Sequence, residues 1–190
     1  MGNTNNIQKL TGKLLLSTMA TPSDKYLSKS IVLVCQHSKD GAMGLITNKV
    51  VPDLEILSLL NKTDLSHLQN KNNMPFHLGG TENTDKCFVI HSNDFKFESS
   101  RKIDKQMSFA TFDDLFRIPP LSAPKNKIAC VGCCSWEPGQ LEEEVGRTLW
   151  IPLDADKDLI FGNPFFDKWR AALFKIGSKS KLLLEKFGNA

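Results

Sequence analysis

No stretch of this chain approaches the about 20 consecutive apolar residues that a membrane-spanning helix needs. The run Leu14-Leu15-Leu16 behind Lys13 is broken at once by Ser17 and Thr18, which is too short for a secretory signal. Residue 6 is Asn, so the myristoylation pattern behind Gly2 fails. Charge of one sign is scarce: 24 basic against 21 acidic side chains leave +3. A dedicated nucleic-acid domain carries more and concentrates it on one face. The same small charge, with 41% hydrophobic residues, excludes extended disorder. Glycine periods, sustained heptads and internal repeats of 20–50 residues are absent. A chain of 190 residues without these features reads as one domain. The expectation is a cytoplasmic protein with no membrane contact and no direct nucleic-acid binding.

Signature motifs of common chemistries are missing as well. There is no G-x-S-x-G elbow and no G-x-G-x-x-G, and Gly41-x-x-Gly44 lacks the Lys-Ser/Thr of a phosphate-binding loop. Cys130-x-x-Cys133 has no second pair and no histidine partner at metal-ligand spacing. On a regular strand positions 130 and 133 point to opposite faces, while 130 and 134 share a face about 13 Å apart, beyond disulfide reach. Only a sharp turn at Gly132 would bring 130 and 133 together. The five cysteines, Cys35, Cys87, Cys130, Cys133 and Cys134, are odd in number and fit reduced thiols better than a disulfide framework. Cys35 and His37 would share a strand face, but at about 6–7 Å they are too far apart to bond directly. No catalytic residue, metal ligand or cofactor site is assigned, and enzymatic activity is not expected.

What is present alternates strands with a few helices. Residues 14–19 read as a strand. Residues 31–35 form a β-branched apolar run, as in a strand covered on both faces. Asp40-Gly41 turns the chain into a second strand over 43–47. Pro52-Asp53 opens a helix with Leu54, Leu57 and Leu60 on one stripe, followed by a polar loop over 61–74. Strands follow at 76–78, 87–91 and 107–111. Thr111-Phe112-Asp113-Asp114 resembles a capping box. A strand at 127–131, a helix from Pro138 through Val145, and a strand at 149–153 precede a last helix. Asn163 caps that helix, Pro164 sits at its first position and Gly177 ends it. The order predicts an α+β fold: one domain with a bent, mixed or antiparallel sheet forming a pseudo-barrel, and helices packed outside it. Residues 1–10 read as a loose tail, 11–177 as the domain and 178–190 as a basic tail. From Lys168 onward six basic residues face one acid, Glu185, which is read as a solvated face.

Several segments are distinctive in combination. They are Ser30-Ile31-Val32-Leu33-Val34-Cys35-Gln36-His37, Asp40-Gly41-Ala42-Met43-Gly44-Leu45-Ile46-Thr47-Asn48-Lys49, His77-Leu78-Gly79-Gly80, Phe88-Val89-Ile90-His91 and Ser135-Trp136-x-Pro-Gly-Gln140-Leu141-Glu142-x-Glu144. With Trp150 and Asp167-Lys168-Trp169-Arg170, they make the chain resemble the YqgE/AlgH family of bacterial proteins from about Thr11 to Gly177. The resemblance implies a single α+β pseudo-barrel domain and a proposed regulatory role connected with alginate production. It supplies no catalytic residue. Gln36 stands where the family has Glu, Thr81 where it has Pro, and Cys133-Cys134 where it has Tyr-Ala, which sets the vicinal thiols outside any family function.

Two functional expectations follow. One is a non-enzymatic binding or regulatory protein acting on a protein or small-molecule partner. The other is a ligand-binding or enzymatic pocket built from the polar motif residues at strand and loop ends: His37, Asn48, Gly80, His91, Gln140 and Glu142. A cleft gathering at least three of them would favour the second. For the lone Cys130/Cys133 pair, elemental analysis of the purified protein is expected to find no stoichiometric zinc; one zinc per chain would overturn that reading.

Overall fold

The computed structural model describes residues 9–21, 26–51, 75–119, 122–162 and 168–179. Among these residues are nine strands: β1 (Lys13–Ser17), β2 (Ile31–Ser38), β3 (Gly41–Ile46), β4 (Phe76–Leu78), β5 (Glu82–Ser92), β6 (Arg101–Lys102), β7 (Met107–Thr111), β8 (Lys127–Trp136) and β9 (Trp150–Asp154). Four helices lie among the described residues: α1 (Asp113–Phe116), α2 (Gln140–Gly146), α3 (Lys157–Phe161) and α4 (Lys168–Lys179). Hydrogen bonding orders the sheet β6-β7-β5-β8-β3-β2-β1-β9, with every pair on this path antiparallel. β4 joins β8 in parallel, off the path. The sheet curls into a half-barrel, giving a single-domain α+β fold as the sequence led us to expect.

The period-two alternation of side chains builds the core. Along β1, Leu14 and Leu16 enter one apolar cluster and Leu15 another. Along β2, Ile31, Leu33 and Cys35 join the first, and Val32 and Val34 the second. Residues of α3 and α4, among them Leu159, Ile160, Ala172 and Ile176, cover the first cluster. Leu141 of α2 covers the second, beside Trp136 and Trp150. A third cluster holds Phe76, Phe97 and Phe112 with Leu115 of α1. The continuous apolar run at 31–35 is thus buried on both faces.

β8 does more than the sequence reading assigned to it. Its first half pairs with β4 and β5, and Cys134, Ser135 and Trp136 pair with β3. Around Gly132, whose φ of +70° is open to glycine at little cost, β3 takes over from β4, while the pairing with β5 runs on to Cys133. Alternation slips there by one residue. Ile128, Cys130 and Cys133 fall in the same cluster, whereas Cys134 joins Trp136 in another. The expectation that 130 and 133 face apart and that 130 and 134 share a face is therefore corrected: the bulge reverses it. All five cysteines are free thiols.

Other boundaries shift for identifiable reasons. The Thr111 hydroxyl pairs with Ser99 rather than capping α1, whose N-cap is Phe112 without a side-chain bond. Pro138-Gly139 forms a turn, with Gly139 at φ +79°, and α2 begins only at Gln140. The short helix α3 was not anticipated; its N-cap Asp156 accepts from the backbone N–H of Asp158 and Leu159. α4 continues past Gly177 to Lys179. The helix expected over 53–60 and the Asn163-Pro164 cap lie outside the described residues.

The two ends of the sheet path are poor templates. β6 is two residues long and both are charged and exposed. β9 carries Pro152 opposite Leu15, and proline is tolerated in sheets at such an edge.

Gly80 shows how tightly the bend is built. A Cβ placed there would lie 2.1 Å from the carbonyl carbon and oxygen of Cys133. Its neighbour Gly79 donates to Val131 O at 2.7 Å and accepts from Ile46 N at 2.8 Å, stitching β3 to β8. Gly80→Ala is expected to destabilise the protein by about 2–3 kcal/mol, because backbone rather than a flexible side chain must move. Urea unfolding checks this, and an unchanged midpoint would refute it.

Candidate functional site

The polar motif residues do not converge on one place. The structure brings together His37 and Glu142, whose Nε2 and Oε1 lie 3.1 Å apart. A β-bulge explains how. Val34 pairs with Gly44 but Gln36 with Met43, so Cys35 is the extra residue. Beyond the bulge the alternation is displaced, and His37 meets α2 while Gln36 is exposed. Cys35 stays in the cluster beneath α3 and α4, so the expected shared face of Cys35 and His37 is also corrected.

The His37 ring is used at both nitrogens. The Leu10 N–H donates to Nδ1 at 3.1 Å. Nδ1 is therefore the acceptor, and in the neutral ring Nε2 carries the proton and donates to Glu142. The His37 side chain is only 1% exposed and that of Glu142 33%.

The other four motif residues hold the fold. Asn48 accepts from Ile31 N and donates to Lys29 O, both at 2.8 Å, clamping the turn before β2. Gly80 has the close backbone approach described above. His91 is fully buried. Its Nδ1 lies 3.0 Å from Ser92 O and must donate; its Nε2 lies 3.0 Å from Ser100 Oγ, whose oxygen also accepts from Phe97 N. Burial pushes the His91 pKa down, which keeps the ring neutral. Gln140 accepts from Glu137 N and donates to Glu144 Oε1 at 2.8 Å.

Glu144 is the residue that sequence reasoning passed over. Its Oε2 accepts from the indole N–H of Trp136 at 2.8 Å and from that of Trp150 at 2.7 Å. The two rings meet edge to face, 6.2 Å apart at 80°. A signal existed: two buried indoles need acceptors, and the only acids between them in the chain are Glu137 and Glu142-Glu143-Glu144. Periodicity could not say which of these turns inward.

A second buried polar group was also missed. His77 is fully buried on β4, opposite Cys130 of β8. Burial, with the Lys168 ammonium nearby, pushes its pKa down to about 4. Lys168, itself buried at the start of α4, donates to Ile160 O at 2.6 Å and Thr47 O at 3.4 Å. Burial lowers its pKa to about 8.

Four of the five thiols are poor nucleophiles. Burial raises the pKa of Cys35 and Cys130, and lifts Cys87 and Cys134 to about 12, so little thiolate exists near neutrality. Among the described residues no three His, Cys, Asp or Glu side chains are placed to share a metal ion.

A cleft of about 540 Å³ opens between residues 9 and 11, the tip of the β2–β3 hairpin, β6 and Trp136. Lys9, Gln36, Ser38, Asp40 and Lys102 contribute to its lining, and of the six motif residues only His37 does. A neighbouring depression of about 380 Å³ shares Thr11 with it.

A family model described as AlgH-like matches residues 14–181. The chain belongs to the AlgH-like family. A UPF0301 protein of Ruegeria pomeroyi is 38% identical over 184 residues, covering 95% of this chain and 99% of that one. A UPF0301 protein of Rhodopseudomonas palustris is 35% identical over 190 residues, covering 95% and 87%. The fold of this AlgH-like chain is similar to the solution structure of AlgH from Pseudomonas aeruginosa, with a TM-score of 0.70, 23% identity and 93% of each chain covered. It is also similar to a crystal structure from Corynebacterium diphtheriae, with a TM-score of 0.66, 15% identity and coverage of 87% and 86%.

Glu144→Gln replaces one acceptor oxygen by an amide N–H that faces a donor. The variant is expected to lose about 3 kcal/mol of stability and to shift its tryptophan fluorescence to the red. Wild-type stability in a denaturant titration would refute the role given to this carboxylate.

Proposed function

We propose that this AlgH-like chain is a non-enzymatic binding protein with a regulatory role in the bacterial cytoplasm. Its partner is a protein, engaged at the cleft between residues 9–11, the β2–β3 tip and β6. One observation carries the reading. The side chains chemically suited to acid–base work, His37, His91, Glu142 and Glu144, are committed to hydrogen bonds within the chain. The cleft itself presents an open polar rim, with Lys9 and Lys102 set against Asp40, which suits a partner's polar surface. A net charge of +3 gives duplex DNA little to hold, so a regulatory effect would run through protein contact. The competing reading, a small-molecule or enzymatic pocket, needs more of the motif residues in the cleft than His37 alone.

The test is native mass spectrometry of the purified protein beside affinity capture from its host. The expected result is no retained small molecule and a captured protein that is lost with Lys102→Glu yet kept with Phe174→Ser, a change at an exposed position of α4. A stoichiometric small molecule, or capture indifferent to Lys102→Glu, overturns the proposal.

A further inference from the structure

His37 joins three elements through one ring. The segment ahead of β1 reaches it through the Leu10 N–H, α2 through Glu142, and β2 carries it. Leu10 itself is buried in the cluster with Trp136, Trp150 and Leu141. Below this point the segment is tied by other bonds: Gly12 N donates to Val34 O at 2.8 Å, and Lys13 N to Leu10 O at 2.9 Å. The Thr11 hydroxyl reaches His37 O at 3.5 Å.

The two ring nitrogens answer differently to a proton. Nε2 already donates to Glu142, and that contact strengthens when the ring is charged. Nδ1 is the only nitrogen left to protonate, and it is the one that accepts from Leu10. An imidazolium is a donor at both nitrogens, so a protonated Nδ1 sets N–H against N–H. The carboxylate therefore invites the proton that the Leu10 amide must yield to.

Among the described residues, the charged groups around the ring are few. Glu142 faces it from α2. Lys9 from the N-terminal segment, Asp40 from the hairpin turn and Lys102 from β6 line the same cleft. β3, with the sequence GAMGLI, contributes no titratable side chain, and β8 contributes Trp136. These charges balance in number, which leaves the Leu10–Nδ1 contact as the local bond that proton uptake must break.

We propose that His37 is a proton-operated latch: its neutral ring holds the backbone of residues 9–11 against the end of β2, and its protonation releases them. Histidine is the side chain whose charge changes within the physiological range. Because residues 9 and 11 line the cleft, release also reshapes it. That consequence rests on the binding role proposed above; the latch does not.

The test uses the full chain and no partner. Long-range 1H–15N correlation spectra report the His37 tautomer, and hydrogen exchange reports Leu10 protection, from about pH 8 to pH 5. At the upper end Nε2 is expected to carry the proton. As the ring titrates, the Leu10 protection factor is expected to fall about tenfold or more with the same midpoint, while that of Leu15 in β1 holds. Glu142→Gln should lower the midpoint. His37→Asn, whose Oδ1 can accept from the same N–H, should leave Leu10 protection independent of pH; if it does not fold, the wild-type data still decide. Leu10 protection that survives ring protonation, a ring still neutral at pH 5, or a proton on Nδ1 at pH 8 would each overturn the latch.

Discussion

Two indoles and one amide converge on a single carboxylate, that of Glu144. Trp136 ends β8, Trp150 begins β9, and Gln140 and Glu144 lie one turn apart on α2. Those strands sit far apart in the sheet order, with β3, β2 and β1 between them. The carboxylate therefore bridges two distant strands and fixes the helix against the sheet face that carries Leu15, Val32, Val34 and Ile46. Charge-assisted bonds of this kind are about twice as strong as neutral ones, and the cost of removing the acceptor is larger than the gain from making it. The position of Leu141 in the core, and of Glu142 beside His37, follows from this anchor.

The same helix thus carries two ties of different character. At Glu144 the partners are indoles, which do not titrate, so the attachment is permanent. At Glu142 the partner is the imidazole of His37, whose other nitrogen accepts from Leu10 N. The helix is thus fastened to two indoles at one residue and, two residues earlier, to a ring that also holds the segment ahead of β1. The buried thiols take no part in either tie. Desolvation raises the pKa of Cys35, Cys130 and Cys134, and they behave as small apolar residues, as free buried cysteine commonly does.

Much of the fold was legible because its signals are local. Alternation and β-branching located β1, β2, β3, β7 and β9, and the Asp40-Gly41 turn fixed the β2–β3 hairpin. What escaped was where alternation fails. Gly132 and Cys35 each displace the pattern by one residue, and each reversed a statement about which side chains share a face. A bulge is set by what packs against the strand, here the Gly79-Gly80 segment against β8, and no spacing along β8 alone announces it. The site was legible only as a set of residue types. His37 and Glu142 were both singled out, but their contact spans 105 positions of chain. Glu144 stood only as one position of a distinctive segment, and His77 and Lys168 were read as motif or surface residues because burial of a charged group leaves no mark on periodicity.

The two ends of the sheet have a consequence for assembly. An incoming strand would find only Arg101 and Lys102 at one end, each charged and facing solvent, and at the other a proline with no N–H to offer. Strand addition is the route by which open sheets polymerise or capture extended peptides. At its two described ends this half-barrel therefore offers little to that mode of growth, and side-chain surfaces such as the polar cleft are the better-suited places for a partner.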